Sequence, residues 1–291
     1  MSRSDQTSNQ IYAVERHVML VDGHVHLYPC FDAGLLFDAA LANFARAAAR
    51  RGARAGQWIG CLCLTETATD HEFRRIAASE HVGRWRVRPT AEQQTIRLES
   101  SDGSLLVVAG CQVATRDGME VLGIGIIDRV DDRLTLDDTL ARVRQSGAVP
   151  IVPWAFGKWM LARGRHLRRL VERSAPSDFA LADNGGRPAL GIYPPILKLG
   201  RERGFAILSG SDPLPFPQQV RRVGQVGFIM SDAQESAPFA SIKSLLRSPR
   251  ASVEPYGAFS GLPQFVAAQA RMHMRSRLRG NAHSIQDGDS R

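Results

Sequence analysis

Short apolar runs recur along this chain at 18–22, 58–64, 104–113, 119–127, 149–153, 179–183, 205–209 and 226–230. They are near-continuously hydrophobic rather than alternating, the pattern of strands buried on both faces. Helical periodicity fills many of the gaps. Leu35, Leu36, Ala39, Ala40, Phe44, Ala47 and Ala48 form one stripe over 35–51, closed by Gly52. Residues 135–146 open with Thr135 and Asp138 at capping-box spacing and continue with Leu140 and Val143. Further helices are predicted over 159–173, 194–203 and 262–278. Strands alternating with amphipathic helices predict a largely parallel sheet covered by helices. The stretch 83–127 differs, because Asp102-Gly103 predicts a turn between antiparallel strands at 94–98 and 104–109. The expected fold class is α/β, a distorted β/α barrel over residues 17–270 with a helical C-terminal portion. A disordered lead, 1–16, precedes it, and a basic disordered tail, 271–291, follows.

Composition narrows the class. The 291 residues are 44% hydrophobic, enough for a large core in one big domain or for two small ones. No run approaches the ~18 apolar residues of a membrane span. The opening MSRSDQTSNQ is polar and lacks an apolar signal core, so a cytoplasmic location is expected. Cys30, Cys61, Cys63 and Cys111 form no Cys-x-x-Cys pair, which argues against a zinc ribbon or a disulfide frame. Cys61 and Cys63 alternate on one strand and are expected in the core. The net charge is +8, carried almost wholly by arginine beside only Lys158, Lys198 and Lys243. The excess concentrates in 163–173 and in the tail, so a nucleic acid is a weaker expectation as partner than a small molecule. No Gly-x-Ser-x-Gly elbow, P-loop or dinucleotide fingerprint is present.

The chemistry gathers where strands end. Asp22-Gly23-His24-Val25-His26 follows the first apolar run, and side chains two apart in extended backbone point the same way. Two imidazoles facing one point suit a metal ion, with Asp22 placed to accept from a ring. Thr65-Glu66-Thr67, Gln112, Glu120, Pro153-Trp154, Asp183-Asn184 and Ser211-Asp212 lie at the ends or starts of other strands. In β/α barrels such ends build the active site. Lys158 and Arg163 flank the opening of the 159–173 helix, where a helix N-terminus and a cation suit an anion. Trp154, Phe156 and Trp159 read equally well as core or lid aromatics, with Lys158 solvated. Arg187, beyond Asn184-Gly185-Gly186, is a second candidate anion contact.

The order DGHVHL, CLTET, VAGCQVATRDGMEVLGIG, PIVPW, FALADN, LSGSDPLP over roughly 18–215 resembles the polymerase and histidinol phosphatase (PHP) superfamily. The resemblance implies a distorted β/α barrel that hydrolyses phosphoesters with clustered divalent metals. His24 and His26 match the first ligand pair. Glu66 keeps a carboxylate where the pattern has Thr-Asp-His, and His71 follows five residues later. Gln112 stands for a bridging carboxylate, Glu120 for a histidine, Trp154 for another, and Asp212 keeps the closing aspartate while Leu214 replaces its histidine. The implied ligand set is His24, His26, Glu66, Glu120 and Asp212, for one or two ions of Zn, Mn or Fe. The implied function is metal-dependent phosphoester hydrolysis by an ion-activated hydroxide. Lys158 and Arg163 would neutralise the phosphate, His71 would substitute as acid, and Trp154, Asp183, Asn184 and Arg187 would line the substrate pocket. The alternative is a catalytically silent module with the same fold.

Overall fold

The computed structural model describes residues 18–68, 70–154, 159, 161–185, 193–231, 233–247 and 253–257. The lead, the tail, the 262–278 helix, Lys158 and Arg187 lie outside the described residues. In chain order the first half holds β1 (Val18–Val25), α1 (Ala33–Ala49), β2 (Trp58–Leu64), α2 (Glu72–Ala77), β3 (His81–Val82), β4 (Trp85–Pro89), β5 (Thr95–Ser100), β6 (Gly103–Val108), β7 (Gly110–Ala114) and β8 (Glu120–Ile124). The second holds α3 (Leu136–Gln145), β9 (Val149–Pro153), α4 (Leu161–Arg173), β10 (Ala180–Asn184), α5 (Pro195–Glu202) and β11 (Ile207–Gly210). A 3₁₀ turn (Pro217–Arg222), β12 (Gly227–Met230), α6 (Pro238–Ser244) and β13 (Glu254–Tyr256) complete it.

Local chemistry sets the helix ends. Asp32 accepts from Leu35 N at 2.8 Å, which starts α1 two residues before the apolar stripe. Gly52, at φ +73°, follows its end in the left-handed conformation. Thr135 accepts from Asp138 N, as the capping spacing predicts.

The strands form two sheets. One runs β13-β12-β1-β2-β6-β5-β4-β3, with β1, β2 and β6 parallel; the other runs β11-β10-β9-β8-β7, with β9, β10 and β11 parallel. The α/β class expected from the sequence is observed; among the described strands the ladders form two sheets, and no ladder closes them into the distorted β/α barrel expected there. The physical reason lies partly at Ala109. The apolar run 104–113 is not one strand: β6 leaves the first sheet there and β7 begins the second. Ala109 donates to Gln94 O and its carbonyl accepts from Gly125 N, so this residue turns the corner between the sheets. Its neighbour Gly110 lies so close to β2 that a Cβ would sit 2.3 Å from Leu64 O. The hairpin β5–β6 matches the predicted antiparallel pair.

Strand alternation sorts the core into three layers. Leu20, Leu62, Leu64 and Leu105 face α1 with its Phe37 and Phe44. Met19, Val21, Cys61 and Cys63 face the space between the sheets, against Leu122, Ile124, Ile151, Ala182 and Leu208, so both cysteines are core. The outer face of the second sheet, with Val113, Val121 and Leu181, buries against Leu140, Leu167, Leu170 and Leu197 of α3, α4 and α5. Because β1 is buried on both faces over nearly its whole length, its C-terminal end is carried into the interior. No helix among the described residues is long and apolar enough to cross a membrane.

Candidate metal centre

The sheets meet at the C-terminal ends of their parallel strands. On one side Glu66 N donates to Gly110 O and Gln112 N to Glu66 O, forming a short bridge from β2 to β7. On the other, Asp212 N donates to His24 O at 2.9 Å. This second approach requires glycine at 210, since a Cβ there would lie 2.4 Å from His24 N and 2.5 Å from its Cβ.

Into this mouth point His24, His26, Gln112, Asn184 and Asp212. The register of β1 on β2 shifts between Asp22 and Val25, yet the two imidazoles still converge, with Nε2 atoms 3.0 Å apart. Asp212 Oδ1 lies 3.6 Å from His24 Nε2 and 3.8 Å from His26 Nε2. Gln112 Oε1 lies 3.2 Å from His24 Nε2. A point equidistant from the two nitrogens and Oδ1 lies about 2.0 Å from each, the bond length of zinc to imidazole or carboxylate. Among the described residues, His24, His26 and Asp212 form the group of ligating side chains close enough to share one ion.

Asn184 fixes which atoms face the centre. Its Nδ2 donates to Asp212 Oδ2 and to Trp154 O, both at 2.9 Å, so its Oδ1 is the atom that meets His24 Nδ1 at 3.3 Å. His24 therefore carries its proton on Nδ1 and turns a bare Nε2 inward, as a ligand does. Asp212 is left with Oδ1 toward the imidazoles. It holds φ +45°, a left-handed conformation uncommon outside glycine, imposed by its backbone bond to His24 and by the anchoring of Ser211. Three acceptor atoms thus crowd one small space, with at most one proton, on His26 Nε2, to share. A cation resolves that crowding, so the donor set fits a divalent ion.

Burial sets the protonation states. His26 is pushed down to about 4 by burial, then by the neighbouring His24, with Asp212 opposing. Its ring is neutral at pH 7, and Tyr28 stacks on it at 5.0 Å. Among the described residues the buried Nδ1 of His26 has no hydrogen-bond partner.

Asp22 does not accept from a ring as the sequence suggested. Its Oδ1 takes Ser211 N at 2.8 Å and His24 N at 3.3 Å, and its Oδ2 takes Gly224 N at 2.8 Å. Fully buried, it has its pKa raised to about 6 by burial, against the lowering effect of those bonds. It is a clamp that ties the His24 strand to the segment carrying Asp212. Sequence spacing could not show this, because the donors lie 189 and 202 residues away.

The other predicted ligands fall elsewhere. Glu66 is not in the His24, His26, Asp212 group; its Oε1 accepts from Phe73 N at the head of α2, and burial raises its pKa. Glu120 shares a face with Gln112, since β7 and β8 pair Gln112 with Leu122 and Ala114 with Glu120, but it too stands outside the group. His71 is exposed at the head of α2. Arg163 is exposed, its Nη1 beside Gly118 in the β7–β8 turn. Trp154 offers its carbonyl to Asn184 while its ring packs on the third core layer. Asp183 is buried in β10 in register with Ser209. Asn184, assigned to the substrate pocket from sequence, lies buried at the end of β10 and hydrogen-bonds both His24 and Asp212. Gln112, read from sequence as an amide in place of a bridging carboxylate, brings Oε1 to 3.2 Å from His24 Nε2.

No family model and no curated protein matches the sequence. Solved structures similar to the chain include PsfC from Pseudomonas syringae, 14% identical over 89% of this chain and 99% of that one, with a TM-score of 0.49. The lesion-specific endonuclease PfuEndoQ from Pyrococcus furiosus is 13% identical over 82% of this chain and 57% of that one, at 0.43. A two-domain protein from Bacteroides vulgatus containing a predicted PHP-like metal-dependent phosphoesterase is 13% identical over 84% of this chain and 66% of that one, at 0.43.

Proposed function

We propose that this chain is a metal-dependent hydrolase with one divalent ion held by His24, His26 and Asp212, with Gln112 as a fourth donor. The observation that carries the reading is the triangle of Nε2, Nε2 and Oδ1 atoms, 3.0 to 3.8 Å on a side, around an ion-sized centre. Two imidazoles, one carboxylate and one amide are a mixed nitrogen and oxygen set suited to Zn, Mn or Fe. Such an ion, when bound, activates water and polarises a phosphoryl or carbonyl oxygen. The protein's own residues do the rest. Asn184 holds the His24 tautomer and aims Asp212, Asp22 fixes the backbone that carries both, and the stacked Tyr28 limits the rotation of His26. A phosphoester is the substrate class that the PHP resemblance favours. One carboxylate among four donors favours one ion over a multi-ion cluster.

Elemental analysis of the purified full chain tests the reading. Near-stoichiometric metal is expected, and it should vanish in the His24→Ala/His26→Ala double variant while the fold persists. Metal-free wild-type protein after reconstitution with Zn²⁺ or Mn²⁺ would refute it. Stoichiometric metal with no turnover across a broad phosphoester screen would favour the silent binding module instead.

A further inference from the structure

We infer that Arg222 forms an anion subsite beside the metal centre and takes an oxygen of the substrate's phosphoryl group. The inference deepens the metal-centre reading for the ion and rests on the surroundings of Arg222 for the anion. Arg222 closes the 3₁₀ turn after β11. Its Nη2 donates to Gly185 O at 2.8 Å. Gly185 directly follows Asn184, whose amide holds both His24 and Asp212. Two residues beyond Arg222, Gly224 N binds Asp22. The guanidinium is thus tied by its neighbours on both sides to the frame of the metal site.

Its hydrogen bonding is incomplete. A guanidinium carries five N–H donors, and the bond to Gly185 O engages one. Among the described residues Nε is buried with no hydrogen-bond partner, and Asp212 and Asp22 act on the guanidinium through space without bonding it. A buried charged N–H without an acceptor is costly, and the penalty is relieved when an anion supplies oxygens. Asp212 and Asp22 hold the cation's charge against its burial, so the guanidinium sits in the field of the site's carboxylates. A planar fork that neutralises an oxyanion next to a divalent ion is the arrangement phosphoryl recognition uses. Sequence spacing gave no hint of it, because Arg222 lies in a short turn with Arg221 and reads as surface charge.

The test uses inorganic phosphate on the full chain. Mn²⁺ affinity and phosphate affinity are measured separately for wild type, R222Q and R222K, the latter by calorimetry and by Mn²⁺ broadening of the ³¹P resonance. R222Q should bind Mn²⁺ like wild type and lose roughly tenfold to a hundredfold in phosphate affinity, with R222K between. A loss under fivefold in R222Q, or no phosphate binding in wild type, overturns the inference. That result would leave Arg222 a structural donor to Gly185 O. If R222Q does not fold, R222K decides, a loss under threefold overturning it. If wild type takes no Mn²⁺, the metal reading fails by itself, and the same comparison in metal-free protein decides the arginine.

Discussion

Two buried groups in and just after β1, Asp22 and His26, have their pKa values shifted in opposite directions, and single substitutions should expose each one. Asp22 has its pKa raised from 3.8 to about 6, so between those values the folded chain binds more protons than the unfolded. Its contribution to stability is fully present below pH ~4 and is lost as pH rises through about 6. His26 is lowered from 6.5 to about 4, so over that window the unfolded chain binds more protons. Its contribution is present above pH ~6.5 and is lost as pH falls through about 4. At ~1.4 kcal/mol per pH unit, each term amounts to about 3 kcal/mol. In wild type they nearly cancel over pH 4 to 6.5. In Asp22→Asn only the histidine term remains, and stability should rise by about 3 kcal/mol from pH 4 to 6.5 relative to wild type. In His26→Gln only the aspartate term remains, and stability should fall by a similar amount over pH 4 to 6. Urea unfolding at several pH values, with chelator present so that no ion competes with protons, reads both slopes. Every other carboxylate is common to the three proteins, so the differences isolate the two groups. Slopes of the same sign, or a separation under ~1 kcal/mol, would refute the burial argument.

Two further substitutions separate ligands from their supports. Asn184→Ala removes the acceptor for His24 Nδ1 and the donor to Asp212 Oδ2, so metal affinity should fall about 10- to 100-fold by chelator competition, with secondary structure retained. Glu66→Ala should leave metal content unchanged by elemental analysis and lower stability by about 1 kcal/mol, because its carboxylate accepts from Phe73 N at the head of α2; loss of metal would restore Glu66 as a ligand.

The sequence by itself determined the periodic elements and the pair at the end of the first strand. Strands 58–64 and 149–153, the capped 135–146 helix and the β5–β6 hairpin follow from apolar spacing and turn chemistry, which act over a few residues. His24 and His26 were legible because extended backbone sends alternate side chains one way. Only tertiary structure decided their company. Asp212 reaches them because Gly210 lets β11 approach His24, and Asn184 aims it from a third strand. Glu66, a carboxylate in a matching position, turns instead to the Phe73 amide in the first turn of α2. The run 104–113 splits at Ala109 because one residue serves two sheets, which hydrophobicity alone does not register. Periodicity reports how deeply a residue is buried. The partner it meets there depends on segments as far as 202 residues away, as in the 2.8 Å bond from Gly224 N to Asp22.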